Sequence, residues 1–375
     1  MSESVDRALV PFNIRDLSPY VAGKTIAEVQ RKYNPSEISK LASNENRLGC
    51  SPNVKREVVK ALEVIQDYPD PISRQLREVL AEQNNVDPSN IIVAAGSESI
   101  IAILCRTFFL NNEEAITADV TFVGFFVQAN IRGILLKKSP VTQDYRYDLE
   151  AMAEAITDRT KMIYIANPNN PTGTYVTKSE FSRFMRKVPD DVLVVMDEAY
   201  FEYAREVSDY PHSLDYDYDN VITLRTFSKA FGLAGFRVGY AIASKQIIGN
   251  MMKTKLTFEP TTPAQAAALA ALGDPAFIQK SKKVVEKGKR RLYQFFEKQQ
   301  VAYVPSIANS VLLILPTEEQ AINFTQAMLE KGVILRRTNA FGLPNGIRIT
   351  VGRKKEMMHF EHSFKKVMKN TKILS

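Results

Sequence analysis

The chain has 375 residues, 45% of them hydrophobic and 24% charged, with 49 Lys and Arg against 42 Asp and Glu for a formal charge of +7. This composition excludes wholesale disorder, collagen-like repeats and low-complexity architecture, and the length suffices to bury a full core in about two domains. Two cysteines and three histidines are too few for a disulfide framework, a cysteine-built zinc site or an attractive His-centred hydrolase.

The N-terminal stretch MSESVDRALVPFNIRD has no apolar core behind basic residues, and no run of 18 apolar residues follows. The expectation is a soluble, cytoplasmic protein with no membrane partner. Short apolar runs at 91–95, 115–118, 162–166, 192–196, 221–224 and 238–243 predict strands. Continuous apolar runs suit strands covered on both faces, as in a mostly parallel sheet. Helical patterns at 99–109, 149–156 and 178–186 lie between them, which makes the fold class α/β. An alanine-rich helix at 263–272 precedes Asp274-Pro275 and a long basic helix. In that helix Val284, Val285, Leu292, Phe295 and Phe296 recur at helical spacing around KSKKVVEKGKRR. It predicts an amphipathic helix with a solvated basic face, not a nucleic-acid stripe. Strands at 310–315, 333–336 and 347–351 then alternate with helices at 318–330 and 354–367. His359 and His362 fall on the last helix and read as an exposed face, not a metal site. The expected division is an N-terminal arm at 1–45 packing with the small domain, a large domain at 46–274 and a small α+β domain at 275–375.

Neither G-x-G-x-x-G nor a Walker loop is present. Four other segments follow predicted strands. Thr226-Phe-Ser-Lys-Ala-Phe-Gly-Leu-Ala-Gly-Phe-Arg237 gathers two hydroxyls, Lys229 and Arg237 around glycines. The hydroxyls and Arg237 could hold a phosphate and Lys229 could form a Schiff base; a solvated lysine and a structural arginine are the alternative. Asp197-Glu-Ala-Tyr200 places a carboxylate at the end of a buried strand, where a pyridinium N–H would suit it and a helix N-cap is the alternative. Asn167-Pro-Asn-Asn-Pro-Thr-Gly173 makes a tight turn. Ala95-Gly-Ser-Glu-Ser99 offers helix N-terminal amides to an anion, with capping by Ser97 compatible.

In this order and spacing the segments resemble the fold-type I pyridoxal-phosphate aminotransferases over nearly the whole chain. The histidinol-phosphate branch is the nearest in its phrases SNEN (43–46), YPDP (68–71), NPNNPTG, DEAYFEY (197–203), RTFSKAFGLAGFRVGY (225–240) and IRITVG (347–352). The resemblance implies a large domain with a mostly parallel sheet between helices, plus a smaller α+β domain. It implies that Lys229 bonds pyridoxal 5'-phosphate and serves as general base, and that Asp197 pairs with the pyridine nitrogen. Tyr200 and Asn170 would bond the 3-oxygen, and Phe122 would stack on the ring. Thr226, Ser228 and Arg237, with the amides of Ser97 and Glu98, would cradle the phosphate. Tyr68 would reach the phosphate of a neighbouring subunit, so the active unit would be a homodimer. Arg348 would take a substrate carboxylate, while Arg336 and Tyr20 would help hold the second substrate.

The implied reaction is ping-pong transamination between histidinol phosphate and 2-oxoglutarate, with no metal. Two departures bear on the substrate. Arg47 replaces the usual proline after NEN, and Phe125 stands where a tyrosine usually follows the stacking residue. They suggest a more apolar site wall and keep an aromatic amino-acid aminotransferase in view. A decarboxylase acting on a phosphorylated threonine shares the motifs. A cofactor-sensing regulatory domain does not fit the short arm, which lacks a helix-turn-helix pattern.

Overall fold

A computed structural model describes residues 9–15, 17, 23–110 and 112–370. Its centre is a seven-stranded sheet. In chain order the strands are β1 (Ile91–Ala94), β2 (Glu114–Ala118), β3 (Leu135–Ser139), β4 (Thr160–Ala166), β5 (Leu193–Asp197), β6 (Val221–Thr226) and β7 (Gly239–Ile242). Across the sheet the order is β1-β7-β6-β5-β4-β2-β3. Every pairing is parallel except the two made by β7, which runs antiparallel to β1 and β6.

The central strands are short, buried and rich in Val, Ile and Met because helices cover both faces. On one side Ile100, Ile103 and Leu104 of α1 (Ser97–Phe108) and Phe125 of α2 (Val123–Arg132) pack on Met162, Tyr164 and Val195. On the other, Phe181 and Phe184 meet Ile163 and Val194, and the Pro52–Ala61, Arg74–Asn84 and Thr262–Leu272 helices cover β1 and β7. β3 was missed by periodicity for a physical reason. As an edge strand it is half-exposed and carries Lys137 and Lys138, so no continuous apolar run announces it.

The remaining C-terminal elements begin with α3 (Pro275–Gln299). Asp274 caps it by accepting from the Phe277 amide, Pro275 opens its first turn, and Gln300 in a left-handed conformation ends it. Its apolar stripe, Leu292, Phe295 and Phe296, packs with Phe360 and Phe364 of α4 (Lys354–Asn370) against β8 (Ser310–Ile314) and its neighbours. β8 lies in a four-stranded antiparallel sheet with β9 (Arg336–Arg337), β10 (Gly346–Thr350) and the short Tyr303–Val304 strand. The single strand expected at 333–336 is corrected to two. Val333–Ile334 pairs in parallel with Ser39–Lys40, while Arg336–Arg337 turns to pair with β10.

The N-terminal segment makes contacts in two places. Asn13 donates to the Asn130 and Ile131 carbonyls at the end of α2. Farther on, Val29 and Ala42 pack on Ile334 beside the C-terminal sheet. His359 bonds Ser39 Oγ and the Lys331 carbonyl. Among the described residues no helix is long and apolar enough to cross a membrane.

Glu198 and Arg225, one residue past β5 and inside β6, form a buried ion pair. Arg225 donates to Glu198 Oε2 at 3.0 and 2.8 Å, and Ser213 donates to Oε1 through both its amide and hydroxyl. The Glu198 side chain is 0% exposed. Replacing Glu198 by Ala leaves the guanidinium buried without its counter-charge, and the expected cost is about 3–5 kcal/mol. A urea titration should show the unfolding midpoint falling accordingly; an unchanged midpoint would mean that water or another carboxylate takes its place.

Candidate active site

The site forms at the C-terminal ends of β4, β5 and β6, the edge where an α/β sheet opens a crevice. β5 ends on Asp197, β6 on Thr226, and the loop after β4 carries Asn170. β1 runs in the same direction and delivers the start of α1. Around one cavity the structure brings together Ser97, Glu98, Phe122, Asn170, Asp197, Tyr200, Thr226, Ser228, Lys229 and Arg237. A wider cleft of about 510 Å³ shares Lys229, Asn170 and Phe122 with it and adds Arg336, Arg348 and Phe341. That size falls within the roughly 300–1,000 Å³ of small-molecule sites.

Asp197 is 3% exposed. Removal from water pushes its carboxyl up to about 6, opposed by the Tyr164 hydroxyl at 2.6 Å and the Ala199 amide at 3.1 Å. Tyr164 is held by stacking on Phe125, ring centroids 4.2 Å apart. Sequence reasoning did not single out Tyr164. Its one signal is general: a tyrosine in a buried strand needs a partner for its hydroxyl. Lys229 moves the opposite way. Loss of solvent, then the charges of Arg348 and Arg237, pull its amine down to about 8 against Glu45 and Asp197.

The anion end is built from backbone and hydroxyls. α1 begins at Ser97 with Gly96 as its N-cap and no side-chain cap bond. Its leading amides and positive dipole end therefore suit a phosphate. Gly96 is needed for its φ of +93°, and an added Cβ would lie 2.8 Å from Arg237 Nη2, so the guanidinium would have to move. Arg237 itself donates to Ser228 Oγ and the Ala234 carbonyl, and Thr226 Oγ1 bonds Ser228 Oγ and accepts from the Ser228 amide. A phosphorylated, pyridine-like group fits this chain: a buried carboxylate in want of a cation at one end, amides and Arg237 at the other, and the Phe122 ring beside them.

Of the three asparagines in the turn after β4, only Asn170 faces the cavity. Asn167 Oδ1 accepts from the Val176 amide, and Asn169 ties Thr121 to the Val120 carbonyl. Asn170 Oδ1 accepts from Arg348 Nη1 at 2.5 Å, which turns its NH₂ to other partners. Arg348 also donates to the Ala42 carbonyl. Arg336 sits directly across the β9–β10 pair from Arg348, and both guanidinium groups lie within 6 Å of the Phe341 ring. Two cations opposite each other repel, unless an anion lies between them.

The reading of the two departures needs revision. Phe125 does not make the cavity wall more apolar. It lies two residues inside α2, is fully buried in the core and stacks under Tyr164, while Phe122 at the helix start faces the cavity. Arg47 is engaged away from the cavity in an ion pair with Glu356. Tyr68, expected to serve a neighbouring subunit, lies away from its own chain's cavity, 79% exposed and stacked on Phe258. Tyr20 lies outside the described residues.

The family model for class I and II aminotransferases matches residues 36–361. The histidinol-phosphate aminotransferase of Geobacillus sp. (strain WCH70) is 42% identical over 97% of this chain and 100% of its own length. Histidinol-phosphate aminotransferase 2 of Carboxydothermus hydrogenoformans is 38% identical over 95% of this chain and 98% of its own. Among solved structures, the histidinol-phosphate aminotransferase of Sinorhizobium meliloti in complex with pyridoxal-5'-phosphate superposes with a TM-score of 0.88 at 26% identity. That match covers 98% of each chain.

The depressed amine is testable in the free chain. Below pH about 8 Lys229 is protonated and unreactive; above it the amine is free. Amine-selective labelling with peptide mapping should give Lys229 a midpoint near 8, whereas surface lysines follow about 10.4. Arg348→Met should raise the Lys229 midpoint by removing a facing charge. A midpoint that stays with the surface lysines would contradict the electrostatics described.

Proposed function

The chain belongs to the class I and II aminotransferases, pyridoxal-phosphate enzymes, and from that premise we propose that it moves the amino group of histidinol phosphate to 2-oxoglutarate. The observation that carries the cofactor assignment is the buried Asp197 carboxylate facing a lysine of lowered pKa, with the α1 amides and Arg237 at the far end of the same cavity. The substrate assignment draws on relatives of that activity at 42% and 38% identity over almost the whole chain. It also draws on two opposed arginines in the adjoining cleft. Histidinol phosphate and 2-oxoglutarate both bring anionic groups, which such a pair can hold in turn.

When bound, pyridoxal phosphate supplies an aldehyde that condenses with amines and a ring that draws off the electrons of a broken Cα–H bond. The chain's residues do the rest. Lys229 Nζ would be the amine that meets the aldehyde and, as a free amine, would take a proton from the substrate Cα and return it nearby. Asp197 would hold a proton on the ring nitrogen. Tyr200 and Asn170 would donate to the 3-oxygen, and Phe122 would flank the ring. Thr226, Ser228, Arg237 and the amides of Ser97 and Glu98 hold the phosphate and so fix the tilt of the ring. Arg348 takes the carboxylate of the keto acid, and Arg336, with Tyr20, holds the phosphorylated substrate.

In this reading the enzyme is a cytoplasmic homodimer. Val59, Leu62, Ile65, Tyr68, Leu256 and Phe258 are large exposed apolar side chains. Lys255 and Gln265 hydrogen-bond the Pro71 and Asp70 carbonyls, which holds the loop after Tyr68 to the segment that carries Leu256 and Phe258. Exposed apolar groups of this kind suit a partner surface, and Tyr68 would cross it to the other subunit's phosphate.

Four measurements test these assignments. Adding histidinol phosphate alone to the cofactor-loaded enzyme should convert its visible absorption band to that of the aminated cofactor; an unmoved band would remove this substrate and turn attention to aromatic amino acids. Lys229→Ala should abolish turnover while the protein stays folded, and Arg348→Ala should lower kcat/KM for 2-oxoglutarate by about 10²-fold, the loss of a charged hydrogen-bonded pair. Sedimentation should give a dimer; a monomer with full activity would sink the role of Tyr68.

A further inference from the structure

Asn44 belongs to the SNEN stretch but has no part in the chemistry described so far. It is 1% exposed, and every polar atom it has is engaged. Its φ is +53°, a left-handed conformation that asparagine tolerates better than most residues. Its amide N–H donates to Thr350 Oγ1 at 2.9 Å, and its carbonyl accepts from Asn309 Nδ2 at 2.9 Å. Its Oδ1 accepts from the Thr350 hydroxyl at 2.9 Å. Its Nδ2 donates to Tyr200 Oη at 2.8 Å and to Ser310 Oγ at 3.2 Å.

We propose that Asn44 is a positioning residue that aims the phenol proton of Tyr200 at the 3-oxygen of the bound cofactor. The inference rests on the assignment of Tyr200 to that oxygen. A phenol has one proton to give and lone pairs to receive. The Asn44 NH₂ can only donate, so at this contact Tyr200 accepts and its own proton must go elsewhere. Tyr200 lines the cavity, and that is where the proton is directed. The direction of the amide is set by Thr350. Thr350 Oγ1 already receives the Asn44 N–H, so its own proton needs an acceptor, and Asn44 Oδ1 provides it. A reversed amide would put two donors on Oγ1 and strand a buried hydroxyl proton. Asn44 thus reads the position of β10, which carries Thr350 and, two residues earlier on the same face, Arg348. The charged groups facing the phenol are Arg348, Asp197 and Lys229, whose Nζ is 5.8 Å from the Tyr200 ring centre.

The test uses the cofactor-loaded enzyme and its visible absorption as a function of pH, a readout independent of turnover. A donor on the 3-oxygen favours its anionic form, so losing that donor should raise the pH midpoint of the band. Tyr200→Phe sets the scale, with an expected rise of about one pH unit. Asn44→Asp places an acceptor where the NH₂ was, so the phenol turns toward it and the midpoint should rise similarly. Thr350→Val removes the lock on the amide without adding charge and should raise the midpoint by a smaller amount. Both effects should nearly vanish in the Tyr200→Phe background, because Asn44 and Thr350 act through that phenol.

An Asn44→Asp shift that persists undiminished in the Tyr200→Phe background would overturn the proposal, since the added charge alone would then explain it. An unshifted midpoint in both Asn44→Asp and Thr350→Val, with Tyr200→Phe shifted, would overturn it while leaving Tyr200 in place. An unshifted Tyr200→Phe would remove the Tyr200 assignment and this proposal together. Should Asn44→Asp fail to fold, Thr350→Val in the two backgrounds decides the matter.

Discussion

A carboxylate kept out of water is the constraint on which this site turns. Asp197 ends a strand whose residues are all buried. A phenol and one amide reduce the cost without removing it, and its proton affinity rises. Past the end of the next strand, Lys229 carries the complementary strain, an amine held among Arg348 and Arg237. Each group is displaced from its ordinary state, the carboxyl toward holding a proton and the amine toward losing one. The parallel strands hold both at one edge of the sheet, lining one cavity.

The two groups of elements meet through hydrogen bonds, not through a broad apolar seam, at the places where chemistry is read. Arg348 belongs to the C-terminal sheet, yet its guanidinium is aimed by Asn170 from the central one and by the Ala42 carbonyl from the N-terminal segment. Asn44 makes the reverse connection, from β8 and β10 back to Tyr200. A shift of the C-terminal sheet relative to the central one would therefore be felt at Arg348 and at Tyr200 together.

The central architecture was legible because its strands are fully buried and written in Val, Ile and Met, and because each chemical segment follows one of them directly. What was illegible has a common cause, which is that burial and partners are properties of the assembled chain. Edge strand β3 reads as polar because one side meets water. Phe122 and Phe125 look alike in sequence, and only the start of α2 between them sends one to the cavity and the other to the core. Tyr164 was hidden among apolar neighbours, although its hydroxyl meets the central carboxylate. The SNEN stretch was visible as a motif, but its partners Tyr200, Ser310 and Thr350 lie more than 150 residues away. Arg47 marked a departure at a motif and proved to be an ion pair with α4.

The register of β9 and β10 carries one more consequence. Placing Arg336 against Arg348 sets two arginines side by side on the C-terminal sheet, with Phe341 beside both guanidinium groups. Whatever holds these two strands in register therefore also holds the two arginines at one spacing. An anion bound by both side chains would stabilise that register by mass action, so ligand binding and strand pairing would share one free energy. On the proposed reading, the substrate would then act as a structural component of the sheet that binds it.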